Sequence, residues 1–158
     1  MQQLECKLLS LKRHHFLLIF IGITIIVIFL SSLVVDLSGI EIQERVEREL
    51  TIWFLILALI LAPSIETLFF QKWPIDFFED RFKRKWPLIL ISAIPFGIGH
   101  YINEYFIRDF FYAFLHGVIF AYAYILCKIR DDPSPYLVVV LIHMGYNLYV
   151  IILNLIII

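Results

Sequence analysis

The sequence is poor in charge, nearly free of cysteine and unbiased in sign. Charged residues make up 17% of its 158 residues, against roughly 25% in an ordinary globular chain. The formal net charge is −1, so no basic field is available to hold nucleic acid. Two cysteines, Cys6 and Cys127, are too few for a disulfide scaffold and lack metal-ligand spacing. What the chain has instead is apolar surface: 61% of residues are hydrophobic and the mean hydropathy is +0.88. A water-soluble domain of this size cannot bury so much. The composition is that of a membrane protein.

Five stretches are long and apolar enough to cross a hydrocarbon core, which takes roughly 17–25 helical residues: Phe16–Val35, Thr51–Phe70, Pro87–Asn103, Phe110–Cys127 and Tyr136–Ile158. Their apolar residues do not alternate, and open sheet edges are not tolerated in lipid. The expected fold is therefore all-α, a single transmembrane domain over residues 1–158 built as a bundle of about five membrane helices. Ile75–Lys85 carries Ile75, Phe78 and Phe82 on one helical face with Asp76, Glu79, Lys83 and Arg84 elsewhere, the pattern of an interfacial amphipathic helix. Glu41–Glu49 reads as a charged helical patch between the first two spans.

Lys7, Lys12, Arg13, Lys72, Arg81, Lys83, Arg84, Lys85, Lys128 and Arg130 fall on one side of these spans, against Arg45, Arg48 and Arg108 on the other. By the positive-inside rule the N-terminus and the amphipathic helix are cytoplasmic and the C-terminus lies outside a cell (inner) membrane. Membrane lipids are then the obligatory partners.

Polar groups inside the spans carry the functional signal. Of the 14 acidic residues only Glu66 falls within an expected span, and an intramembrane charge tends to face a partner or a wet cavity. It stands near the cytoplasmic end of the second span, whereas His100 stands deep in the third. His100 follows Phe96 by four residues, and Asn147 follows His143 by four, so each pair shares a helical face. Pro63 and Pro95 free backbone carbonyls nearby, while Gly97, Gly99 and Gly145 allow close helix approach. His116 has only Phe120 four residues on and reads as structural. One carboxylate and two imidazoles from three helices suit hydrolysis. A desolvated Glu66 is a better general base than a free one, His100 can share its water, and His143 with Asn147 can donate to an oxyanion. The same Glu66, His100 and His143 could instead hold a divalent metal such as zinc. No His-Glu-x-x-His is present to argue for that.

Ala62-Pro63-Ser64-Ile65-Glu66-Thr67-Leu68-Phe69-Phe70-Gln71, then Phe96-x-x-x-His100, then His143-x-x-x-Asn147, resemble in order the three motifs of the CPBP family, the CAAX proteases and bacteriocin-processing membrane proteins that include the type II CAAX prenyl endopeptidases. The resemblance covers roughly Ala62 to Leu148, within a family-like core at about 51–158. It implies an intramembrane endopeptidase acting on a hydrophobic or membrane-anchored peptide. By the same resemblance Glu66 activates water, His100 assists, and His143 with Asn147 stabilises the oxyanion; the family is described both as metalloproteases and as metal-free. The first motif departs from the usual Glu-Glu-x-x-x-Arg, with Thr67 for the second acid and Gln71 for the base. These two neutral residues are expected to hydrogen-bond along one face. They also favour the alternative of a non-catalytic protein on the same scaffold, such as a bacteriocin self-immunity or scaffolding protein. A proton relay is a third option, disfavoured by the absence of internal repeats and of a second membrane carboxylate.

Overall fold

The computed structural model describes residues 2–38, 49–104 and 107–157. They form six helices: α1 (Gln2–Leu9), α2 (Arg13–Ser38), α3 (Ile52–Arg81), α4 (Lys85–Glu104), α5 (Ile107–Ile129) and α6 (Pro135–Ile157). Among the described residues there is no strand, as the non-alternating apolar runs require. Most of the charged patch at Glu41–Glu49 lies outside the described residues.

Local chemistry sets the helix ends. The Thr51 hydroxyl accepts the Phe54 N–H at 3.1 Å and starts α3. Ser134 does the same for Leu137 at 3.3 Å, with Pro135 at the first position of α6. α5 stops where Asp131 adopts a positive φ of 55°. The Asp132 and Asp131 N–H groups then turn back to the Cys127 and Lys128 carbonyls at 3.0 and 3.1 Å, a Schellman closure.

α5 is the packing centre: 56% of its most apolar stretch is buried, against 11% in α2 and α3. The outward faces of α2 and α3 present Leu18, Ile26, Phe29, Ile52, Trp53 and Phe69 to the surroundings, an arrangement suited to lipid and not to water. Four helices, α2, α3, α5 and α6, are long and apolar enough to cross a membrane. The fifth expected span is present as the 20-residue α4. Its two prolines, two glycines and His100 dilute its apolar character below that of the other four.

The expected interfacial helix is not a separate element. α3 runs unbroken past Phe70 to Arg81, and the charges along that stretch are paired with one another and with α5. Asp76 accepts from Lys72 and Lys128, each at 2.7 Å, and from the Tyr124 hydroxyl at 3.0 Å. Lys128 also meets Glu79 at 2.5 Å. Ile75 is buried, while Phe82 stays exposed. This extension corrects the expected depths. Counted along the chain, Glu66 is as far from the end of α3 as His100 is from the start of α4.

α3 is not a uniform α-helix. Leu57–Leu61 and Thr67–Lys72 wind as π-helix. The Ala62 N–H reaches back to the Leu57 carbonyl and the Trp73 N–H to the Leu68 carbonyl. Each wide turn ends just before a proline, Pro63 or Pro74, the residue type that removes a helix donor and crowds the preceding turn. Single π turns of this kind concentrate at functional sites.

Candidate active site

Glu66 occupies the α-helical turn Ala62–Glu66 between the two π turns of α3. From α6, His143 is directed at it, with Nε2 at 3.6 Å from the Glu66 Oε2. That is beyond a good hydrogen bond but within the range that tightens when substrate or water enters. His143 is buried and its Nδ1 has no hydrogen-bond partner among the described residues. A neutral ring bearing its proton on Nε2 points that proton at the carboxylate.

His100 comes from α4. Its Nδ1–H donates to the Phe96 carbonyl oxygen at 3.0 Å, which leaves Nε2 as the ring's available lone pair. Phe96 is the hinge of the arrangement. It is buried, with its ring 4.7 Å from that of His100, 5.9 Å from that of His143 and 5.5 Å from that of Phe70 on α3. Phe120 of α5 packs against His143 at 4.6 Å between centroids. Phe96 thus stands beside both histidines, one from α4 and one from α6, and His143 approaches Glu66 of α3.

Asn147 is placed differently. Its Nδ2–H donates to the Ala58 carbonyl of α3 at 2.8 Å, so at least one of its two donors is committed to backbone and not to the Glu66–His143 gap. The expected bond between Thr67 and Gln71 is not made. Both side chains are fully buried, yet the Thr67 Oγ1 and both amide atoms of Gln71 lack partners among the described residues. Thr67–Lys72 is wound as π-helix and not as the α-helix on which that expectation was based. Nor does the set fit a metal. Among the described residues no three His, Cys, Asp or Glu side chains gather closely enough to hold an ion.

Tyr136 contributes a contact the sequence did not reveal. Its hydroxyl donates to the Ser64 carbonyl at 3.0 Å, two residues before Glu66. A tyrosine at the start of a membrane helix is ordinarily an interfacial anchor, so nothing in its position singled it out. His116 acts structurally, as expected: its ring nitrogens face the Tyr112 and Thr24 carbonyls at 2.7 and 3.3 Å, which ties α5 to α2.

Residues 48–149 match the family model described as Type II CAAX prenyl endopeptidase Rce1-like. The match covers more than half of the chain and contains Glu66, His100, His143 and Asn147. No curated protein and no solved structure matches the chain.

Proposed function

The chain belongs to the type II CAAX prenyl endopeptidase Rce1-like family, and from that premise we propose that it is an intramembrane endopeptidase with Glu66 as its general base. The observation that carries the reading is the approach of His143 Nε2 to within 3.6 Å of the Glu66 carboxylate in a helix seam that also faces His100.

In this reading a water between Glu66 and the scissile carbonyl gives a proton to the carboxylate as its oxygen attacks the carbonyl carbon. His100, with Nδ1 committed to Phe96, orients that water through Nε2. The carbonyl oxygen becomes an oxyanion and accepts the His143 Nε2–H. The protonated Glu66 then delivers its proton to the amide nitrogen as the C–N bond breaks. General-base help of this kind contributes about 10²–10⁴-fold, and one oxyanion donor about 10²–10³-fold. No step passes through a metal.

The substrate is a hydrophobic or membrane-anchored peptide. The protein sits as a multi-pass chain in the inner membrane with its N-terminus cytoplasmic, and residues 51–158 form its catalytic core. The pairing of Arg13 with Asp132, of Lys85 with Glu5 and of Lys128 with Asp76 and Glu79 supports that orientation, since it gathers basic residues at one end of the bundle. The second reading, a non-catalytic self-immunity or scaffolding protein, draws on the unpartnered Thr67 and Gln71, where the family pattern has an acid and a base.

Cleavage of a farnesylated CAAX peptide by the protein in proteoliposomes distinguishes the two. Glu66→Gln lowers turnover by about 10²–10⁴-fold and His100→Ala also lowers it, with insertion and folding intact. Full turnover in both variants contradicts the hydrolase. Protection of cells by a Glu66→Ala protein without cleavage supports the second reading.

A further inference from the structure

The π turn Leu57–Leu61 closes with the Ala62 N–H on the Leu57 carbonyl. Continued in the same register, the next bond would run from residue 63 to the Ala58 carbonyl. Residue 63 is proline, with no N–H to give, and a backbone carbonyl in the membrane is costly to leave unpaired. The Asn147 side chain supplies the missing donor at 2.8 Å. Three turns earlier on the same helix, the Tyr136 hydroxyl donates to the Ser64 carbonyl at 3.0 Å. The two bonds lie on either side of His143 in α6 and grip the α3 segment that leads into Glu66.

We propose that Tyr136 and Asn147 are positioning residues, a two-point clamp from α6 that holds the proline-interrupted turn of α3 so that Glu66 meets His143. At least one Asn147 donor then acts through the Ala58 carbonyl. The catalytic consequence rests on the hydrolase reading, but the bond itself does not. Fixing a carboxylate to a fraction of an ångström is where such a clamp earns a rate effect, since misplacement by about 1 Å can cost on the order of 10²-fold.

Proline and asparagine should therefore be coupled. In Pro63→Ala the backbone gains a donor. Where the π register continues through residue 63, that N–H reaches the Ala58 carbonyl and satisfies it without Asn147. The experiment is a double-mutant cycle of Pro63→Ala and Asn147→Ala, read as Tm in detergent and as cleavage of a farnesylated CAAX peptide. Asn147→Ala is expected to lower Tm on its own, and by less than about half as much in the Pro63→Ala background. Cleavage by the double variant is expected to exceed that of Asn147→Ala by at least about tenfold. Equal losses in both backgrounds overturn the clamp, because an oxyanion donor is not replaced by a backbone N–H on α3. Tyr136→Phe keeps the ring and is expected to lower kcat about three- to tenfold with KM unchanged; an unaltered kcat contradicts its part. If Glu66→Gln leaves cleavage intact, the hydrolase reading fails, and the Tm cycle still decides the clamp.

Discussion

The α4–α5 seam and the α3–α6 seam are built on opposite plans. Between α4 and α5 the contact is dry and close. A Cβ on Gly117 would stand 3.0 Å from the Ala93 Cα and 3.1 Å from the Phe96 Cδ1, and one on Gly97 would stand 3.1 Å from the Phe110 carbonyl oxygen. Small residues and aromatic rings make a frame there that has little freedom to shift. Between α3 and α6 the helices are joined by polar groups: Tyr136 to the Ser64 carbonyl, His143 toward Glu66, and Asn147 to the Ala58 carbonyl. The difference teaches a division of labour. A tightly packed pair carries Phe96 and His100, and a hydrogen-bonded pair holds the segment that bears the carboxylate.

The comparison can be broken from either side. The largest effect is expected in the polar seam, where Glu66→Gln removes the proposed base and with it about 10²–10⁴-fold of the turnover, with little change in Tm. A loss of folding in that variant would mean that the seam is structural. An intermediate effect is expected in the dry seam. Gly117→Ala forces a methyl group against Ala93 and Phe96, an overpacking that costs about 1–3 kcal/mol of stability and is measured by thermal or denaturant unfolding in detergent. Cleavage should fall with it, since Phe96 touches both histidines. The smallest effect is expected at Thr67→Val, which removes a fully buried hydroxyl without a partner. Its stability should stay level or rise by about 1 kcal/mol. A clear loss would reveal a hydrogen bond at Thr67.

What could be read from the sequence follows the same division. The membrane helices were legible because runs such as Phe16–Val35 are uninterrupted, and the approach of His143 to Glu66 joins two of the ionisable groups that stood out as rare in such runs. The length of α3 was not. Asp76 and Glu79 look like the end of a span until Lys128 and Tyr124 of a distant helix are seen to meet them. The partner of Asn147 was hidden for a related reason. It depends on a π turn that forms before Pro63, and no residue type in Leu57–Leu61 announces one. The freed carbonyl was foreseeable from Pro63, but the side chain that answers it comes from the last helix, where only tertiary structure sets the register.

The account stands on Glu66 and His143 working as one unit across the α3–α6 seam. The most direct test is the turnover of Glu66→Gln, His143→Ala and the double variant on one farnesylated CAAX peptide under identical conditions. Members of a single catalytic apparatus are grossly non-additive, so the double variant should lose no more than the worse single one. Losses that multiply in the double variant would contradict the account, placing the two residues in separate roles.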